Sequence, residues 1–578
     1  MKQETKIHST SSVQVCQNCK QSFTIEPDDF GFYEKIKVPP PTFCPECRRQ
    51  RRWAQKNNMT LYNRKCDLCG KSSISLFNPD SGFIVYCNKC WWSDKWDPKS
   101  YGVDYDFSKP FFTQFKKLAK KVPQMAMIND DDIASINCEY TSDWWFSKNC
   151  YMCFVGWHME NSMYNYFGLA GREIMDCMNI RSENEWLYEC IMMRNNFKLK
   201  YSELCLNCMD SQFLYDCQNC IECFMCAGLR NKKYHFKNKK YSKEDYETIL
   251  QNYRLDTFSG AEKTKKEFED FILKQPRRYA LIWRTVNCTG DTISDSKNCK
   301  NSFVIKNAEN VRYSDFVGDS SAATKDCYDI TTTGGTQESY ECVVGDHSQL
   351  NLFGFFTVKS QDVRYTEHCH NGKHLFGCVG LKNANYCILN KQYSKEEYEE
   401  LVPKIIEHMN DMPYVDTKGN VYKYGEYYPI ELSSFGYNET SAMENFALTR
   451  EEAMGQGYGW QDNIQRTTSK ETLLPENIPD SIKDINDSIL AEVLRCNNCG
   501  RNYKIVPNEL TFYREMKIPI PRKCFFCRHE ARLAKRNPFK LWHRKCMKEG
   551  CVNEFDTSYA PNRSEIVYCE RCYQQEVY

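Results

Sequence analysis

The stretch CAGLRNKKYHFKNKKYSKEDYE, residues 226–247, returns 152 positions later as CVGLKNANYCILNKQYSKEEYE, residues 378–399. Working outward, SKNC ending at Cys150 matches SKNC ending at Cys299. Between these anchors Cys177, Cys190 and Cys217 stand opposite Cys327, Cys342 and Cys369, and Cys138 pairs with Cys288 just upstream. The middle of the chain is a loose internal duplication, and its period has to be read before any single motif. Each half is a series of short aromatic and β-branched runs, such as FLYDCQN (213–219), VRYSDFV (311–317) and ESYECVV (338–344), broken by Asn, Asp and Gly. Runs of this kind favour short strands. Their close spacing, with no helix between them, predicts a mixed but mainly β fold with a duplicated β-solenoid-like middle. An antiparallel sandwich or barrel in each half is the alternative.

Helices punctuate the halves. Ser394-x-x-Glu397 spells a capping box ahead of Tyr398, Leu401, Ile405 and Ile406, with Pro403 in or near the first turns. Its counterpart begins at Ser242. A third helix follows Ser108, with Phe112, Phe115, Leu118 and Ala119 on one face and Pro123 ending it.

Both ends carry a second, stricter duplication. The first end reads Cys16-x2-Cys19, x24, Cys44-x2-Cys47, x18, Cys66-x2-Cys69, x17, Cys87-x2-Cys90. The last end reads Cys496-x2-Cys499, x24, Cys524-x2-Cys527, x18, Cys546-x4-Cys551, x17, Cys569-x2-Cys572. Phe32-Tyr33 matches Phe512-Tyr513, and Pro39 and Pro41 match Pro519 and Pro521. A Cys-x2-Cys turn presents two thiolates to one ion, and two such turns close a tetrahedral zinc site with no open position. Four structural zinc ions are therefore expected, each worth roughly 10–16 kcal/mol to a lobe too small to bury a core. Iron–sulfur ligation and disulfides are the competing uses of these thiols.

The stretch CQNCKQSFTIEPDDFGFYEKIKVPPPTFCPECRRQRR resembles the zinc-ribbon, or treble-clef, domain family. The match covers residues 16–52 and again 496–532; Phe525 stands where the first copy has the proline of CPEC, and His529 where it has an arginine. The resemblance implies that Cys16, Cys19, Cys44 and Cys47 hold one zinc, with Cys44-x2-Cys47 opening a helix, and that Cys66, Cys69, Cys87 and Cys90 form another ribbon. A cross-braced pairing of first with third and second with fourth turns stays open. The whole chain also resembles large uncharacterised proteins predicted from uncultivated bacteria, in which VYCxxCWWSDxWD and LRNKxY strings recur; that resemblance implies architecture and no mechanism.

The net charge of +1 hides basic ends around an acidic middle. Ten Lys/Arg face five Asp/Glu between Cys16 and Cys66, and thirteen face three between Cys496 and Cys546, leaving −14 for the rest. After Cys47 comes RRQRRWAQK and after Cys527 RHEARLAKR. On a helix Arg48, Arg52 and Lys56 line one face, with Arg49 beside them, and Arg528, Arg532, Lys535 and Arg536 do the same in the copy. A basic helix beside a zinc knuckle suits RNA or DNA phosphate. The same arginines also suit docking on the acidic middle, or a solvated face. Trp53 aligns with Leu533 and reads as core, and WWSDKWD (91–97) as packing of the first module on the middle.

The thiols outside the ends behave differently. Ser360, Gly372 and Leu375 replace Cys208, Cys220 and Cys223 in the second half, which marks these cysteines as small buried fillers; a metal site private to the first half is the alternative. His368, Cys369, His370 and His374 read as turn residues rather than ligands. No phosphate loop, nucleophile elbow or HExxH appears, so an enzyme is not expected, and neither is a small-molecule substrate. The polar start MKQETKIHST and the lack of a long apolar run point to a cytoplasmic protein without a membrane segment.

The reading divides the chain into a double zinc module (14–100), a helical connector (101–130), β-rich halves with helical ends (131–280 and 281–464), a linker (465–490) and a second double zinc module (491–578). Its functional expectation is a non-catalytic zinc protein that binds nucleic acid through the basic helices. The alternatives are a structural or protein-interaction scaffold whose zinc modules cap a solenoid, and a carbohydrate-active solenoid enzyme.

Overall fold

The computed structural model describes residues 10–130, 133–318 and 322–577, so most of the polar start and the boundary at 131 lie outside the described residues. Within them the chain is mainly β, with twelve helices, the longest Lys395–Asp411, and two large sheets of 13 and 12 strands.

Pairing in both large sheets is parallel, apart from a closing hairpin at the end of each. The recurrent register is twelve residues: Phe154 pairs with Tyr166, Leu199 with Ser211, Asn351 with Val363 and Leu375 with Cys387. Local insertions stretch it to 13 at Ile180–Met193 and 16 at Val311–Cys327. In the second sheet the strands Gly290–Lys297, Ser302–Lys306, Asp315–Val317, Thr324–Thr333 and Ala308–Arg312 close a small ring of parallel strands.

The backbone explains the register. From Asn137 to Ser182 every third residue has a left-handed φ. That conformation costs an ordinary L-residue about 1–2 kcal/mol, least for Asn and Asp. Asparagines at these corners repay part of it by bonding to one another along the sheet. The amide of Asn137 donates to Asn149 (3.1 Å) and that of Asn149 to Asn161 (3.0 Å). Asn207, Asn219 and Asn231 repeat the ladder.

The residue after each corner is buried: Cys138, Thr141, Trp144, Ser147, Cys150 and Cys153 are all at most 4% exposed. Thiols and hydroxyls do the same work at these positions. Cys150 Sγ donates to the carbonyls of Lys148 (3.4 Å) and Met159 (3.6 Å). Ser211 Oγ donates to Met209 O (2.8 Å) and accepts from the backbone N–H of Cys223 (3.0 Å). The interior is narrow enough that Trp144 fits only because glycine follows it twelve residues on. A Cβ on Gly156 would meet the indole at 2.3 Å and the Gly168 carbonyl oxygen at 2.6 Å.

Outward aromatic side chains are covered by the two ends of the chain, and the coverage crosses over. Phe32 stacks on Tyr328 at 3.8 Å, and Tyr33 meets Tyr340 edge-on at 5.4 Å, so the first module lies on the second sheet. Phe512 stacks on Trp186 at 5.6 Å and Tyr513 meets Tyr188 at 5.9 Å, so the last module lies on the first.

The helix Lys395–Asp411 starts at the Ser394–Glu397 capping box, which places Pro403 in its third turn rather than at its start. Its buried face of Tyr398, Val402, Ile405 and Met409 holds the helix together across the missing hydrogen bond. The helix Phe111–Lys121 buries Phe112, Phe115, Leu118 and Ala119. Residues 465–490 form only short 3-10 turns, yet Ile478, Ile482, Ile485 and Ile489 are buried and Phe258 N donates to Asp480 O (2.8 Å). Among the described residues no helix is long and apolar enough to cross a membrane.

Gly156→Ala is expected to lower stability by about 1–3 kcal/mol through overpacking. Cys217→Ser, which keeps an inward donor where serine already serves elsewhere, should cost less. The comparison is made by urea midpoint, and equal losses would contradict the narrow-interior account.

Candidate metal centres

Each knuckle is a tight turn fixed by its own backbone. Cys16 N donates to Gln21 O (2.9 Å) and Lys20 N to Cys16 O (3.0 Å), which carries Lys20 to a φ of 62°. The matching position is Gly70 in the second knuckle and Gly500 in the C-terminal copy, with φ of 70° and 72°. Cys44 and Cys524 are the N-caps of the helices Pro45–Trp53 and Phe525–Ala534, so one thiol of each pair precedes a helix and the other lies in its first turn.

These elements gather the sixteen cysteines by fours: Cys16, Cys19, Cys44 and Cys47; Cys66, Cys69, Cys87 and Cys90; Cys496, Cys499, Cys524 and Cys527; Cys546, Cys551, Cys569 and Cys572. Turns pair in sequence order, first with second and third with fourth, rather than cross-braced. Within each tetrad all sulfurs lie within 4.8 Å of one another. A tetrahedral ion with Zn–S of about 2.3 Å needs sulfurs about 3.8 Å apart. Cys19–Cys44 at 3.7 Å, Cys69–Cys87 at 3.9 Å, Cys499–Cys524 at 3.6 Å and Cys551–Cys569 at 3.9 Å meet that requirement and are far beyond a disulfide bond. Hydrogen bonds to sulfur recur in both copies. Asn18 donates to Cys47 (3.4 Å) as Asn498 does to Cys527 (3.3 Å), and Cys87 N donates to Cys66 (3.2 Å) as Cys569 N does to Cys546 (3.2 Å). The backbone of Lys71 holds the Cys69 thiol down to about 7. The donor set, spacing and N–H···S support fit a closed four-thiolate ion site.

The middle cysteines do not gather into such tetrads, although Cys177 and Cys288 also accept a backbone N–H. Among the described residues, the groups of three or more clustered ligand atoms are these four tetrads. Cys217, Cys220, Cys223 and Cys226 fall at the buried one-in-three positions, and burial pushes the thiols of Cys226, Cys342 and Cys369 up to about 12. The histidines do not converge. His368 stacks on Phe356, His370 meets Trp92 edge-on, and His374 stacks on Tyr386 and faces Asp362. Burial pushes His368 down to about 4 and His370 to about 3, which keeps both neutral. The WWSDKWD tryptophans pack the first module on the middle, with Lys382 Nζ 4.2 Å above the Trp91 ring.

The basic helices face inward. Arg48 and Arg52 share Asp329, at 2.7 and 3.0 Å, and both side chains are at most 1% exposed. Arg49 pairs with Asp315 (3.0 Å), Lys56 with Asp143 (2.7 Å), and Arg51 with Glu341 (2.8 Å). Burial pushes the Glu341 carboxyl up to about 7 against the pull of Arg51 and Arg52. In the copy Arg528 and Arg532 share Asp176, both at 2.9 Å. Tyr313 donates to Asp29 (3.0 Å) as Tyr164 does to Glu509 (2.9 Å), so the shared-aspartate and tyrosine–carboxylate contacts recur in both docking sites. Of the expected phosphate contacts, Arg48, Arg49, Arg52, Lys56, Arg528 and Arg532 are buried against protein. Lys535 is open to solvent beside Glu203, and Arg536 is half-buried over Phe539. Trp53 is core, 2% exposed. Sequence reasoning missed the two aspartates. Each is an Asp ahead of an inward residue, a signal that Asp143, Asp216 and Asp326 also give.

No protein-family model matches the chain, and no curated protein matches it. Among solved structures, a putative acetyltransferase from Desulfovibrio desulfuricans G20 aligns at 8% identity over 49% of this chain and 73% of its own, with a TM-score of 0.11, a likeness too weak to carry any argument.

Removing one partner of a buried ion pair strands the other charge and costs about 3–5 kcal/mol. Asp329→Asn and Asp176→Asn are each expected to lose that much, read as shifts in urea midpoint. A loss below about 1 kcal/mol at either position would show that the grip on it does not hold its module in place.

Proposed function

We propose that the chain is a zinc-dependent, non-catalytic scaffold, in which zinc-ribbon or treble-clef lobes at 14–100 and 491–578 clamp a two-part β-solenoid. The observation that carries this reading is the inward turn of both arginine helices, each with a pair of arginines sharing one aspartate of the far half. The twelve-residue parallel register, repeated through both halves, supports the solenoid. The four tetrads would hold zinc through their thiolates, and an ion enclosed by four sulfurs supplies folding energy and no reaction chemistry. Thiols kept free throughout suit a reducing compartment such as the cytoplasm.

A nucleic-acid role through the same helices requires the modules to undock first, because phosphate has no route to the guanidinium of Arg52, which is 0% exposed, or of Arg528, at 6%. The scaffold reading needs no such step.

Gently purified protein should contain four zinc ions per chain by elemental analysis. Chelation should release them together with a fall in melting temperature and the loss of near-ultraviolet circular dichroism. Filter binding between about 50 and 200 mM salt should show none of the steep salt dependence that phosphate contacts produce. Far fewer than four ions would overturn the proposal. So would salt-steep RNA or DNA binding that Arg48→Gln and Arg528→Gln abolish without changing the melting temperature.

A further inference from the structure

The two docking sites differ most in what fills the space beside their arginine pairs. Between Cys16 and Cys66, adding 480 to a residue number gives its partner in the last module, so Gln17, Pro39, Thr42, Phe43 and Arg51 correspond to Asn497, Pro519, Arg522, Lys523 and Ala531. In the first module these residues seat the chain's own segment 421–427. Val421 N donates to Gln17 Oε1 (2.8 Å), and Gln17 Nε2 returns a bond to Val421 O (3.0 Å). Gly425, at φ 104°, passes so close to Pro39 that a Cβ would meet its ring at 2.6 Å. The Glu426 carboxylate accepts from Thr42 N (2.8 Å), from Thr42 Oγ (2.6 Å) and from Arg51 (3.4 Å). Tyr422 and Tyr427 flank the Arg51 guanidinium at 5.9 and 5.7 Å.

In the last module the corresponding Asn497, Pro519, Arg522, Lys523 and Ala531 all line an open cleft of about 560 Å³, within the usual size of a ligand site. Ala531 provides no side chain to fill it. Seven lysines and arginines against three glutamates face this space. Several are already engaged: Lys265 with Glu189 and Glu262, Lys535 with Glu203, and Arg528 and Arg532 with Asp176. Among the described residues, Lys523 and Lys266 form no ion pair, and Arg522 has Asp480 nearby but makes no direct ion pair with it. Arg522, 8% exposed, donates to the carbonyls of Pro475 and Pro479, lies 4.5 Å over the Phe258 ring and feels the charge of Asp480, while its Nε has no acceptor.

We propose that this cleft docks a peptide segment of a partner protein that carries a glutamate flanked by tyrosines, in the place that residues 421–427 fill at the other end. Lys523 and Arg522 receive the carboxylate, and Pro519 and the stem of Lys266 receive the rings. The cleft gives the scaffold a partner and rests on that reading only for its biological role.

The probe is a dye-labelled peptide VYKYGEYYPI, residues 421–430 of this chain, titrated by fluorescence anisotropy into the full-length, zinc-loaded protein at low salt. Saturable binding is expected, weakened at least about tenfold by Lys523→Glu, by Ala531→Glu, and by glutamine in place of the peptide's glutamate. Zinc content and melting temperature, measured on the same samples, report the clamp separately, and both should be unchanged in the variants. No binding, or binding indifferent to all three changes, overturns the proposal while leaving the zinc clamp standing. Inorganic tripolyphosphate bound in a Lys523-dependent way, with the peptide ignored, overturns it in favour of a phosphate site.

Discussion

A backbone that returns to a left-handed φ at every third residue sends one side chain in three inward, and most of this molecule follows from that. The interior it leaves is narrow. Cysteine, serine, threonine and glycine recur there because each either bonds a carbonyl two residues back or leaves space for a larger neighbour, as Gly156 does for Trp144. Such an interior buries little apolar area per residue, so the aromatic columns on the outer faces have to be covered by something else. The terminal modules are that cover. They are themselves too small to stand without help, which is why four-sulfur clusters accompany them.

The join between cover and column is electrostatic as well as aromatic. Burying three charges, two arginines on one aspartate, costs much of what their attraction returns. What the arrangement fixes is position. Asp329 accepts from Arg48 and Arg52, one helical turn apart, and only one placement of the helix satisfies both. Asp176 does the same for Arg528 and Arg532. Because each module sits on the half farther from it in sequence, the order module, half, half, module closes on itself, and the two ends tie together parts of the chain that share no hairpin.

The tetrads were legible in the sequence because zinc ligation is local: a knuckle is four residues long, and its spacing survives duplication. The helix caps at Ser242 and Ser394 were legible for the same reason. The strands could be expected as short and stacked, but not their three-residue turn. Its corners include Phe146, Val155, Met192 and Val304, residues that avoid left-handed backbone unless the surroundings impose it. Propensity carries no trace of that. Charge totals also stopped short. Ten cations over five anions look alike whether they await phosphate or meet carboxylates inside the protein. What separates the cases is the set of buried acids they meet, and the shared aspartate of each half is hidden by a one-residue slip: Asp176 lies 13 residues before Glu189, and Asp329 12 before Glu341.

Duplication also shows what each end no longer shares. The arginine pairs, the aromatic pairs and the hydrogen bonds to sulfur recur in both copies. The plug does not. Where Arg51 reaches Glu426, the second copy has alanine, and where Thr42 caps the same carboxylate it has an arginine that ends on backbone carbonyls. The grip that holds a module is thus independent of what fills the space beside it. One end seals that space with its own glutamate. The other carries the same frame, loses the Arg51 cation, places Arg522 and Lys523 where Thr42 and Phe43 stand and leaves the space open.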